Sequence, residues 1–201
     1  MTKNSAILLS AIVFISTFTS CQKGLDEPTA SVSDIAGRWK FISLEAQTNN
    51  TQQVSEGGSV LKTVTSSAYT TENNSGYITI DGTKMTSNNI SYSINAISKS
   101  FIYQDGTLTD TVSLPVQFTA PASSASATYQ RIGADSISFQ TGSVFMEGAT
   151  QSTRAGGARI KMEHDRLYLM QSVTESTTDT DQGAISSQTV QGKMVITLQR
   201  Q

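Results

Sequence analysis

A period of two runs through most of this chain, and such a period admits little besides a sheet. Ile90, Tyr92, Ile94 and Ala96 alternate with Ser91, Ser93 and Asn95, the pattern of a strand with one dry face. The apolar phase then passes to Ile97, Phe101 and Tyr103, which predicts a β-bulge near Ala96-Ile97. Leu108, Val112, Leu114, Val116 and Phe118 share one face of the next run, with Asp110 an exception. Pro115 on the other face has no N–H, so this strand is expected to be an edge or to be interrupted.

Turn residues join the runs. A two-residue loop at Asp81-Gly82 would set Ile78 opposite Met85, and one at Asp105-Gly106 would set Tyr103 opposite Leu108. His164-Asp165 would pair Met162 with Leu167, Ile160 with Leu169 and Glu163 with Arg166. Further strands are expected at 37–47, 59–71, 127–132, 136–140, 143–147 and 188–199, about ten in all. Stretches of small polar residues at 48–58, 119–127, 148–157 and 174–187 read as loops. The expectation is all-β: a single antiparallel up-and-down β-barrel, which hides its sheet edges, with a β-sandwich as the alternative. An outer-membrane barrel is disfavoured, because the outward faces carry Ser and Thr in place of a tall apolar band.

Composition narrows the function classes. Only 15% of the residues are charged, where an average domain has about 25%. Ser and Thr, roughly 28% of the chain, supply the wet surface instead. One Cys and one His leave no disulfide framework and no ordinary zinc site. A formal net charge of −2 gives no footprint for nucleic acid.

The N-terminus reads as an address. Lys3 precedes an apolar run, Ala6 to Phe18, interrupted by Ser10, Ser16 and Thr17. The run is too short to span a bilayer, which takes about 20 residues, and fits an export signal. The chain's one cysteine follows in Thr19-Ser20-Cys21. This resembles the lipobox of bacterial lipoproteins, although Phe18 stands where Leu, Val or Ile is usual. The resemblance implies that residues 1–20 are a signal peptide and that Cys21 carries acyl chains. It also implies the outer membrane, since Gln22 follows where Asp would retain the protein at the inner one. Residues 21–34, with Pro28 and no apolar period, read as the lipidated Cys and a flexible tether, and 35–201 as the domain. Gln22 to Glu27 loosely resembles the surface-export tags of Bacteroidetes-type lipoproteins.

At the start of the domain stands Gly37-Arg38-Trp39, which is similar to the Gly-x-Trp motif of the first lipocalin strand. There the Trp plugs the closed end of an eight-stranded barrel, and a basic residue near the last strand packs over it. Arg200 is the matching residue here. The resemblance is strongest to lipocalin-like lipoproteins of Bacteroidetes-type bacteria. Gly37, Trp39 and Arg200 are structural residues under it. The Thr-Asp-Tyr motif and the C-terminal helix of core lipocalins have no counterpart.

Chemistry-bearing residues are sparse. His164 lies between Glu163 and Asp165 and reads as a solvated turn residue rather than a ligand or base. Asp179-Thr180-Asp181-Gln182-Gly183 lacks most of a calcium loop and reads as a hairpin loop. Glu147, Glu163 and Asp165 are the carboxylates to check for paired acid–base work. Asp110-Thr111-Val112 and Asp135-Ser136-Ile137 resemble the pattern that Bacteroidetes-type bacteria O-glycosylate. No metal and no cofactor is expected, and no enzyme activity. The leading reading is a lipid-anchored barrel that binds a small apolar or amphipathic ligand, its membrane contact made by N-terminal acyl chains. Inward candidates are Ile94, Leu114, Phe118, Phe139, Met162 and Leu169, which would equally suit a packed plug. The rivals are an interaction or accessory subunit of an envelope complex and, behind it, a hydrolase.

Overall fold

The computed structural model describes residues 35–140, 156–181 and 183–201. Its strands, in chain order, are β1 (Gly37–Glu56), β2 (Ser59–Thr70), β3 (Glu72–Ile80), β4 (Lys84–Gln104), β5 (Thr107–Arg131), β6 (Ser136–Phe139), β7 (Gly156–Glu163), β8 (Arg166–Asp181) and β9 (Ala184–Arg200). All pairings are antiparallel, and β9 pairs with β1 to close one nine-stranded sheet into a ring. β2 and β3 run in the same direction, each with β1 on one side and β4 on the other. They are two halves of one strand, so the ring is an up-and-down barrel of eight positions.

The break between the halves falls at Thr71, which is buried. Its N–H donates to the Leu44 carbonyl at 2.9 Å and its Oγ1 accepts from the Leu44 N–H at 2.9 Å. A threonine there satisfies a buried donor that an apolar residue would leave bare.

The core lies toward one end, the base, where the chain enters β1 and leaves β9. Trp39 and Phe41 from β1, Ile78 from β3, Phe139 from β6, Leu167 from β8 and Leu198 from β9 fill the ring there, each at most 1% exposed. Toward the other end, the rim, the strands run on without a core. Among the described residues, β5 from Thr107 to Thr119 pairs with β4 alone, and β8 from Gln171 to Asp181 with β9 alone. The upper half is thus a curved six-stranded sheet in the order β5-β4-β2-β1-β9-β8.

Several expectations change in position. The stretches at 48–58, 119–127 and 174–187 are largely strand: β1 runs on to Glu56, β5 to Arg131 and β8 to Asp181. Ser and Thr of the upper strands pair across the ladders, as in Thr65–Ser100 at 2.9 Å and Ser176–Thr189 at 3.1 Å, and branched Thr suits the pleat without needing a dry face. No bulge occurs at Ala96-Ile97; the shifts fall between Ser87 and Tyr92 and between Ile102 and Tyr103 instead. The apolar phase changes there because both faces of β4 carry apolar residues, with Ile97 and Phe101 on the outside. Asp81-Gly82 is not a two-residue loop. The turn includes Thr83, so Ile80 faces Met85 and Ile78 faces Ser87. Asp81 accounts for this, since its Oδ1 accepts from the N–H groups of Thr83 and Lys84 at 2.8 and 2.7 Å. Leu108 leaves the face of Val112 to Phe118 because the ladder shifts by one residue between Ile102 and Tyr103. The pairings of Tyr103 with Leu108, and of 160, 162 and 163 with 169, 167 and 166, are as expected. Pro115 lies where β5 has one neighbour among the described residues, an edge position that suits its missing N–H. The strand expected at 143–147 lies outside the described residues.

Candidate functional site

Two places in the barrel carry the residues of interest. The first is the base. Trp39 is fully buried, and its Nε1–H donates to the Ile35 carbonyl at 2.8 Å. Trp39 and Arg200 are direct partners across the β1–β9 seam, which sets the Arg200 guanidinium 4.8 Å over the indole ring, within cation–π range. Gly37, with φ of 134°, lets the chain turn from buried Ile35 into β1. These residues hold both ends of the domain together at the base. Cys21 and the segments 1–20 and 21–34 lie outside the described residues.

The second place is the inward face above the plug. A chain of aromatic contacts climbs out of the core there. The Phe41 and Tyr92 rings meet edge-on at 6.2 Å, and Tyr92 meets Phe118 at 6.4 Å. Tyr69 and Met194 pack half-buried on the same plug. Burial pushes the Tyr92 phenol up, and burial followed by the neighbouring Tyr92 does the same for Tyr69, so both stay neutral hydrogen-bonding groups. From Phe118 the inward face of β5 continues through Val116 to Leu114; Phe118 is 50% exposed and Leu114 56%. The facing strands offer polar atoms, including the Gln188 amide donating to Asn50 Oδ1 at 3.2 Å. The result is a trough with an apolar wall, an aromatic foot and a polar wall.

The inward candidates therefore divide. Phe139 and Leu169 are buried plug residues, and Met162 packs half-buried against them. Ile94, Leu114 and Phe118 stand above the plug. Tyr92 was legible as a member of the Ile90–Ala96 alternation. Tyr69 and Phe41 had no such signal, because their roles come from partners on other strands.

The polar candidates serve the turns. His164 is exposed, with φ of 56° in the β7–β8 turn. Glu163 pairs with Lys161 at 2.7 Å, which holds its carboxyl below the usual range. Asp165 accepts from the Gln199 amide at 2.8 Å and is likewise held down. Glu147 lies outside the described residues. Asp179 and Asp181 end β8. Among the described residues, no group of three or more His, Cys, Asp or Glu could hold a metal ion. Two clefts open near the waist of the barrel. The larger, about 590 Å³, has Glu45, Gln47, Glu72, Asn95 and Lys193 on its walls. The smaller, about 310 Å³, lies beside Asn95 and Gln117.

No family model matches the chain, and no curated protein matches it. Among solved structures it is similar to the crystal structure of Ail, the attachment invasion locus protein of Yersinia pestis. Identity is 8%, the match covers 81% of this chain and 99% of that one, and the TM-score is 0.16. A likeness at that score carries no argument about fold, membrane or ligand.

Proposed function

We propose that this chain is a non-enzymatic outer-membrane lipoprotein, anchored through acyl chains on Cys21, whose lipocalin-like barrel holds a small amphipathic ligand in the trough above its plug. The observation that carries the ligand is the exposed apolar row Leu114, Val116 and Phe118 on the inward face of β5, continuous with Tyr92 and Phe41. Exposed apolar residues in a concave face mark binding sites more often than scattered ones do. The ligand would lay its apolar body along that row and its polar group against Asn50 and Gln188. The anchor rests on the signal-like N-terminus and the lone Cys21; several acyl chains hold where one would not.

Native mass spectrometry of the protein released from its own envelope tests the ligand, together with titration of a fluorescent fatty-acid analogue. Retention of a small amphipathic molecule is expected, and Phe118→Asp should weaken the analogue at least tenfold, about 1.4 kcal/mol. Equal binding by wild type and Phe118→Asp would remove the trough. Cys21→Ser should release the protein from membranes; continued membrane fractionation would remove the anchor. The one-sided β5 ladder favours a second reading, an envelope protein that adds a strand at that edge. Stoichiometric co-purification of such a protein, with no small molecule retained, would decide for it.

A further inference from the structure

Charge is divided between the two ends of the barrel. Near the base, the outer face carries Arg38 and Lys40 on β1, Lys84 on β4, Arg159 and Lys161 on β7, and Arg166 on β8, all exposed. Arg131 and Arg200 end β5 and β9 at the same level. Among the described residues, four carboxylates stand against these eight cations: Asp81, Asp135, Glu163 and Asp165. The rim is the reverse among the described residues: Glu56, Asp105, Asp110, Glu175, Asp179 and Asp181 stand with Lys62 and Lys99. The base also presents Ile132, 70% exposed in the β5–β6 turn. It is a single apolar side chain beside Arg131, the pairing that suits a headgroup layer.

The chain enters the barrel at this same end, where Trp39 holds Ile35 through its carbonyl. The fourteen steps along the chain from Cys21 to Ile35 extend at most about 50 Å. The 25 residues of β5 make a strand of about 80 Å, or about 60 Å of height at a barrel strand's tilt. An anchor at Cys21 thus keeps the base near the bilayer and leaves the rim out of its own reach. The segment itself holds Lys23 against Asp26, Glu27 and Asp34, so attraction to an anionic surface has to come from the barrel.

We propose that the base of the barrel is a membrane-contact surface that binds anionic lipid headgroups and turns the acidic rim and its trough away from the bilayer. This rests on the lipid anchor proposed above. Contact is required, because free charges are screened within about 8 Å at physiological salt, and basic side chains near an anionic leaflet supply the attraction.

The test uses the lipidated full chain, in which Cys21 is acylated and an introduced cysteine is the one free thiol. Ile132→Cys at the base and Thr107→Cys at the rim are spin-labelled. Each protein is placed in vesicles of phosphatidylcholine, alone or mixed with phosphatidylglycerol. Access of a water-soluble relaxation reagent to the label at 132 should fall about threefold or more in the anionic vesicles. The effect should vanish in high salt and in the Lys40→Glu/Arg166→Glu background, while the label at 107 stays open throughout. Equal access at 132 in both vesicle types, or shielding at 107 instead, would overturn the proposal. Failure of the lipidated protein to float with either vesicle type is a different result: it overturns the anchor, and the contact surface with it.

Discussion

Trp39 sits where three constraints meet: the plug around its ring, the Ile35 carbonyl at its Nε1, and the Arg200 guanidinium on its face. Trp39→Ala removes all three and leaves a cavity in the tightest part of the core. It should cost about 3–5 kcal/mol, read as a lower urea midpoint by far-ultraviolet circular dichroism. Arg200→Ala removes the contact on the ring face, and that loss should cost about 0.5–2 kcal/mol. Trp39 is the one tryptophan in the chain, so its emission also reports the loss of Arg200 directly. Thr71→Val keeps the shape of a buried side chain but removes the acceptor of the Leu44 N–H. It should cost about 1–3 kcal/mol, the penalty of an unsatisfied buried donor. Trp39 and Arg200 could be picked from the sequence because a short motif and a chain end marked them. Thr71 could not, because it is one Thr among many and only the meeting of β2, β3 and β1 makes it special.

At the scale of elements, the turns and bulges fix the register. Gly76 has φ of 95° at a shift in the β3–β4 ladder, and a Cβ there would lie 2.5 Å from the Asn89 carbonyl oxygen. Gly58 has φ of 85° in the β1–β2 turn with nothing within 4 Å. Gly76→Ala should therefore cost clearly more than Gly58→Ala, whose cost is backbone strain alone, about 1 kcal/mol; urea midpoints of the two variants check this. The turn carboxylates set the acid limb of stability. Backbone N–H groups of Thr83 and Lys84 lower the Asp81 pKa, the Val60 N–H lowers that of Asp105, and Arg159 lowers that of Asp135. A depressed native pKa means that the unfolded chain takes the proton first. Their contribution is complete above about pH 4 and is lost as pH falls through the depressed values. Asp81→Ala should flatten that acid slope in urea midpoints measured across the range. Hairpin pairings at 103–108 and 160–169 were legible because each turn brought apolar residues together. The upper parts of β1 and β8, 48–56 and 174–181, were not, because Ser, Thr and Gln on both faces give no period, and those segments are extended by cross-strand pairing rather than by a dry face.

The whole molecule is a plugged barrel that continues into an open sheet, and its two halves hold together by different means. In the base every strand has two neighbours, and the side chains of the plug are closed off from water. Toward the rim, β5 and β8 each have one neighbour among the described residues, and the contacts are hydroxyl pairs and half-exposed apolar rows. Local opening needs little free energy where few apolar contacts break and the backbone hydrogen bonds already face solvent. Native-state hydrogen exchange should then divide the strands along their length. Amides of Trp39, Phe41, Ile78, Leu167 and Leu198 should exchange only through global unfolding and follow its denaturant dependence. Amides of β5 between 107 and 119 and of β8 between 171 and 181 should exchange far faster, with little denaturant dependence. An amphipathic ligand in the trough should slow exchange in the β5 stretch and leave the base unchanged. Uniform protection along β5 from Thr107 to Arg131 would show instead that the upper sheet unfolds with the plug as one unit, and the trough would then be as rigid as the core beneath it.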